Sequence, residues 1–235
     1  MVGEPAGPRT AEDPVWLAIE TATSVGSIAL WRGRTIFELT LDIRDGHSQA
    51  LLPAVDAALR MSGIGPDGIS CLVVGAGPGS FTGVRIGASL AKGWVASRET
   101  TLYAYSSLLA VAAGLGAAEV VCPLFDARRE EVYAACYRIA EGDVEAILAP
   151  GAWRLRDLLE ELEGRGITPV FAGEGASLYR AVLREIMPRA RVLPDHVGLP
   201  RASSLLWLRA TFPARGLVAE PRTWEPAYVR EWKVR

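Results

Sequence analysis

Histidine is scarce in this chain. Only His47 and His196 occur among 235 residues. No pair at i, i+4 exists that could offer two imidazoles to one ion from a single helical face. The sequence also lacks an HExxH zinc motif, a Gly-x-Ser-x-Gly nucleophile elbow and the Gly-Lys-Ser/Thr ending of a P-loop. Cysteine is limited to Cys71, Cys122 and Cys136, an odd number lying in apolar runs, which points to buried free thiols in a reducing compartment. Lysine is nearly absent: Lys92 and Lys233 stand against a large arginine complement, which reads mainly as genomic composition. A net charge of −2 argues against a broad surface for nucleic acid or membrane, since phosphate affinity needs clustered positive charge. No apolar run is long enough to span a bilayer, and the opening VGEPAGPRTAEDP has no signal-peptide core. The expectation is a cytoplasmic protein with no membrane segment, no metal, no cofactor and a loose tail over residues 1–13.

What is present is a globular composition, half of it apolar. Short apolar runs at 15–20, 25–31 and 35–42, separated by polar turns, read as three strands, the last two joined by a hairpin at Arg32-Gly33-Arg34. Leu51, Leu52, Val55, Ala58 and Leu59 then recur at helical spacing from His47 to Met61, with Ser62-Gly63 as the stop. ISCLVV at 69–74 has the continuous apolar character of a buried parallel strand. A glycine-rich loop leads from it into a helix over 84–97. After Gly116 the order repeats: strand VVCPLFDAR, hairpin partner EEVYAACYRIA, helix 155–162, strand ITPVFAGEG, then helices 176–186 and 202–210 and an extended end. Two similar α/β halves are implied, one over residues 14–116 and one over 117–235.

Glu20-Thr21-Ala22-Thr23-Ser24 closes the first strand. An acid there, followed by hydroxyls and turn amides, is one way to cradle nucleotide phosphates, as in the actin, Hsp70 and hexokinase superfamily. The same residues serve equally well as a strand cap whose hydroxyls satisfy the turn. Asp126-Ala127-Arg128-Arg129 occupies the matching place in the second half, and Gly173-Glu174-Gly175 is the only candidate for an adenosine-binding glycine pair. The pattern favours the fold over the activity, and 20–24 reads as a degenerate phosphate loop.

The most informative stretch is GAGPGSFTGVRIG. Its glycines permit close backbone approach, and Ser80 or Thr82 can cap the following helix. Gly83, Gly87 and Ala91 recur every four residues, bordered by Val84 and Ala88. Such a bare face lets another helix pack closely, either the His47–Met61 helix or one from a second chain.

GPGSFTGVRIG, with IETATS near the start, HSQALLP opening the first helix, FDARREEVY past the midpoint and AYVRE near the end, resembles the TsaB (YeaZ) family. The resemblance implies an actin-like, ribonuclease H-like fold of two α/β subdomains with mixed sheets flanked by helices. It implies a non-catalytic scaffold that forms a homodimer alone and pairs with the related catalytic subunit TsaD. With the P-loop ATPase TsaE, that complex places threonylcarbamoyl on N6 of adenosine 37 in tRNAs reading ANN codons, and tRNA is met only through the complex. Carried onto this sequence, the partner-binding surface comprises His47, Leu51 and Val55 on one helix. Gly79, Ser80, Phe81, Thr82, Gly83, Val84, Arg85, Gly87, Ala88 and Ala91 supply the loop and the second helix. Departures are Glu20, where the family often has Asp, and Ala76, where some relatives carry Arg. Two other readings compete: an ATP-dependent small-molecule kinase of the same fold, and a glycoprotease-type metallopeptidase, which the histidine count disfavours.

Overall fold

In the computed structural model, residues 13–42, 47–116, 119–140 and 142–227 are described, with backbone only for His47 and Ser48. The first half runs β1 (Val15–Glu20), β2 (Val25–Trp31), β3 (Thr35–Asp42), α1 (His47–Met61), β4 (Ile69–Gly75), α2 (Phe81–Ser97), β5 (Thr101–Tyr105) and α3 (Ser107–Leu115). The second runs β6 (Val121–Arg128), β7 (Glu131–Ala140), β8 (Asp143–Arg154), α4 (Leu155–Gly164), β9 (Val170–Ala172), α5 (Glu174–Leu178), α6 (Arg180–Ile186), β10 (Arg191–Val192), α7 (Ala202–Thr211) and α8 (Pro213–Gly216).

Each half forms a five-stranded sheet, ordered β3-β2-β1-β4-β5 and β8-β7-β6-β9-β10. Numbered from each half's leading strand, both read 3-2-1-4-5. The leading strand pairs antiparallel with its hairpin neighbour and parallel with the strand on its other side. This duplicated mixed sheet is the actin-like architecture.

The strands are apolar on both faces because both faces are covered. Leu17, Ile19, Ile28, Leu72 and Val74 face α1 and α2, where they meet Leu51, Val55, Ala58 and Leu59. Ala18, Ala29, Cys71 and Val73 face the other way, onto α3 and α7. That second layer also takes Phe125, Ala135 and Tyr137 from the second sheet, so α3 and α7 fill a core common to both sheets. The outer face of the second sheet packs on α4, α5 and α6 through Leu158, Leu159, Leu162 and Leu183. All three cysteines are buried free thiols.

Several elements depart from the sequence reading. β5 and α3, over 101–115, were not anticipated: α3 is buried on nearly all sides, so its apolar residues show no periodic stripe. β8 contains Pro150 and Gly151, yet it lies at the sheet edge, where proline is tolerated. The helix expected over 176–186 breaks at Tyr179 into α5 and α6. The stretch from Leu217 to Ala227 is pinned rather than simply extended. Val218 donates its N–H to the Leu102 carbonyl at 3.0 Å, and Ala227 donates to the Ala76 carbonyl at 2.9 Å. Lys92 pairs with Glu225 at 2.6 Å. The 1–12 tail and residues 228–231 of the AYVRE match lie outside the described residues.

Candidate functional site

The residues singled out by the sequence fall in two places: the turn that follows β1, and α1 and α2 with the loop before α2. Glu20 closes β1 at the carboxyl end of the parallel strands, where α/β sheets usually take ligands. Its side chain is fully buried. Oε1 accepts from the Ala22 N–H at 2.8 Å and from the Ser107 hydroxyl at 3.0 Å. Oε2 is buried without a hydrogen-bond partner. Burial pushes the carboxyl pKa up to about 7, against the opposing pull of the Ala22 N–H, the Ser107 hydroxyl and the Thr21 N–H.

The hydroxyls of the turn are engaged as well. Thr21 donates to the Gly83 carbonyl at 2.8 Å, and Thr23 exchanges hydrogen bonds with Val25. Ser24 donates to Glu174 at 3.3 Å, joining the two halves across their cleft. The glycine-rich loop lies directly on this turn: the Ser80 N–H donates to the Ala22 carbonyl at 2.7 Å, and a Cβ on Gly79 would collide with that carbonyl. Glu20, Thr21, Thr23 and Ser24 are therefore brought together, with their polar groups turned on the chain itself. A phosphate would have to displace the Glu20 carboxyl from the Ala22 N–H.

At the matching turn of the second half, Asp126 accepts from the Arg128 N–H at 2.8 Å, and Arg128, Arg129 and Glu130 all hold φ near +60°. Glu174 has its pKa raised by burial first and by the Asp126 charge in addition. Among the described residues no group of three or more His, Cys, Asp and Glu side chains is placed to hold a metal.

α2 begins where Ser80 accepts from the Gly83 N–H at 3.3 Å, which satisfies a donor of the first turn. The small-residue stripe on this helix faces inward, onto the chain's own β1 and β4. A Cβ on Gly87 would come within 2.5 Å of the Thr21 Oγ1 and 3.6 Å of Val74. Gly83, Val84, Gly87, Ala88 and Ala91 are all buried within the chain, as are Leu51 and Val55 on α1. The stripe exists so that α2 can sit close on its own sheet. Of the sequence-derived set, Ser80, Phe81, Thr82 and Arg85 are exposed, with the Arg85 guanidinium 3.9 Å from the Phe81 ring centroid, and Gly79 is half-buried. His47 starts α1, and its side chain is not among those described.

Outward exposure on the two helices also falls on residues outside the sequence-derived set: Leu52 is 59% exposed and Met61 77%, against 43% for Phe81 within it. Between α1 and α2 lies a groove of about 670 Å³, lined largely by Leu52, Pro53, Leu59, Leu90 and Trp94. Leu52, which the spacing grouped with Leu51, Val55, Ala58 and Leu59, stands off the core instead.

The duplicated sheet defines a chain of the actin-like class, and the turn after its acid-ended leading strand has its polar groups bonded within the chain. Residues 42–228 match the family model described as TsaD, tRNA N6-adenosine threonylcarbamoyltransferase. The tRNA threonylcarbamoyladenosine biosynthesis protein TsaB of Escherichia coli is 35% identical over 234 residues, covering 92% of this chain and 96% of that protein. Its counterpart in Bacillus subtilis is 35% identical over 173 residues, covering 73% and 76%. A solved Pseudomonas aeruginosa protein described as similar to the peptidase YeaZ superposes with a TM-score of 0.78 at 30% identity, covering 92% of this chain and all of that one. The chain belongs to the family that the TsaD model describes and, more narrowly, to the TsaB (YeaZ) family.

Proposed function

We propose that this protein is a non-catalytic scaffold of the machinery that makes N6-threonylcarbamoyladenosine at position 37 of tRNAs reading ANN codons. The observation that carries the reading is the occupied turn after β1. Ala22 N–H, Thr21 and Ser24 are already bonded within the chain, and the Glu20 carboxyl lies where an anion would need the turn amide. The names of the Escherichia coli and Bacillus subtilis relatives supply the pathway. The match to the TsaD model, described as tRNA N6-adenosine threonylcarbamoyltransferase, supports a place beside that chemistry.

In this reading the exposed face of α1 and α2 docks the TsaD-type catalytic subunit, and in its absence a second copy of the chain. A TsaE-type ATPase completes the assembly. A groove lined largely by Leu52, Pro53, Leu59, Leu90 and Trp94, with Asp56 and Arg98 also on its wall, suits a helix pair from a homologous partner, which would complete a four-helix arrangement. tRNA is met through the complex, in keeping with the chain's net charge of −2, and the assembly works in the cytoplasm. The test is reconstitution. The isolated chain should neither turn over ATP nor transfer threonylcarbamoyl, and adding it to the catalytic subunit and the ATPase should restore modification of tRNA. Transfer by the isolated chain would overturn the reading. The kinase alternative requires nucleotide binding that is lost on Thr23→Ala, and calorimetry showing no binding would remove it.

A further inference from the structure

Glu20 is fully buried and ties three segments together. Its Oε1 takes the Ala22 N–H of the turn after β1 and the hydroxyl of Ser107 in the first turn of α3. Ser107 passes the connection on: its Oγ accepts from the Gly77 N–H at 3.2 Å, and its own N–H donates to the Gly77 carbonyl at 2.8 Å. Gly77 belongs to the loop that ends at Ser80, the N-cap of α2, and the Ser80 N–H is held on the Ala22 carbonyl. Oε2 packs against Gly75, where a Cβ would collide with it, and it receives no hydrogen bond.

Among the described residues, the elements packed on Glu20 bring no countercharge to it. Ser27 is the partner on β2, and its hydroxyl is directed to Glu38 on β3. α3 carries no charged residue, and β4 brings only the thiol of Cys71, pushed up to about 11 by burial. On α2, Arg85 lies over Phe81 and Lys92 pairs with Glu225. Tyr105 on β5 and Tyr137 on β7 keep neutral phenols, raised chiefly by burial, the latter to about 12. Glu174 reaches Ser24, four residues along, and is itself raised.

We propose that the Glu20 carboxyl is a proton-operated fastener of the docking face: neutral, it clamps the 75–80 loop and the start of α2 onto β1, and ionised, it releases them. The physical reason lies in Oε2. A neutral carboxyl can leave one oxygen in a dry apolar contact at modest cost, whereas a buried carboxylate with half its acceptor capacity unmet is far more expensive. Relief comes from loosening the loop until water reaches the group. Ionisation falls near neutral pH, within the range a cell visits. The proposal rests on the reading of the α1–α2 face as the docking surface.

The test compares the wild-type chain with Glu20→Gln, which keeps the shape and cannot ionise, at about pH 6 and about pH 8.5, on either side of the titration. Amide exchange is followed at Gly77, Ser80 and Val84, with α4 amides as the internal control, and affinity for the TsaD-type subunit is measured at both pH values. The wild-type loop should lose protection several-fold more than α4 on going to the higher pH, and docking should weaken several-fold. Glu20→Gln should show neither change. Parallel behaviour of the two proteins in loop exchange would overturn the fastener. Absence of docking by both proteins at both pH values would overturn the docking reading while leaving loop exchange to decide the fastener. Should the variant fail to fold, the infrared band of the protonated acid serves in the wild-type chain. Its loss in step with loop protection near neutral pH supports the proposal, and complete ionisation below about pH 5.5 contradicts it.

Discussion

Glu20 makes folding stability depend on pH with a definite sign. Its folded pKa of about 7 lies above the ordinary value of 4.5. The folded state therefore binds the proton more tightly than the unfolded chain does. The stability linked to this proton is fully present below pH 4.5 and is lost as pH rises through 7. A difference of that size between the folded and unfolded carboxyl corresponds to about 3 kcal/mol. Denaturant titrations should show the wild-type protein weakening over that window, with Glu20→Gln weakening less by an amount of this order. A wild-type curve that weakens no more than that of Glu20→Gln through the window would show that the carboxyl is solvated.

The glycines of α2 give a second residue-scale test. A Cβ on Gly87 runs into Thr21, whereas one on Gly93 meets nothing within 4 Å. Gly87→Leu should destabilise by about 2–3 kcal/mol through overpacking. Gly93→Ala should stabilise by about 0.5–1 kcal/mol through helix propensity. Thermal unfolding of the two variants should move the midpoint in opposite directions. Equal stability of Gly87→Leu and wild type would mean that the stripe faces outward after all.

At the scale of elements, the docking claim concerns the side of α1 and α2 away from the sheet. Leu52→Glu changes an exposed position, so stability should stay within about 0.5 kcal/mol. Affinity for the partner should fall tenfold or more, because a charge would enter the apolar centre of the contact. Calorimetry of folding and of binding separates the two effects. The inward stripe also marks where legibility stopped. Period and composition located both helices, and the Gly83, Gly87, Ala91 spacing correctly signalled close approach. Spacing cannot say which surface is approached, and here the approached surface is the chain's own β1 and β4. β5 and α3 escaped notice because an element buried on every side has no polar face to give it a period. The second sheet's hairpin was visible as β6 and β7. β8 was hidden by a proline that only an edge position explains.

At the scale of the whole molecule, the repeated element order made the two-sheet architecture readable from the sequence alone. It did not reveal that α7, late in the chain, lies back on β1, β2 and β4 to build the core between the sheets. Nor could IETATS announce its own state. The letters fit a phosphate cradle, and the difference lies in where one carboxyl and three hydroxyls point. Isothermal titration of the isolated chain with ATP and magnesium should give no saturable heat, since a nucleotide would have to displace Glu20 from Ala22 and break the Ser24–Glu174 contact. The proposed docking role of the α1–α2 face is tested most sharply by size-exclusion chromatography of the chain with the TsaD-type subunit. Each sample is scored for complex and for tRNA threonylcarbamoylation in the presence of the ATPase. The wild-type chain should give a stoichiometric, active complex, and Leu52→Glu should lose both complex and modification. An intact, active complex with Leu52→Glu would contradict the docking role of that face.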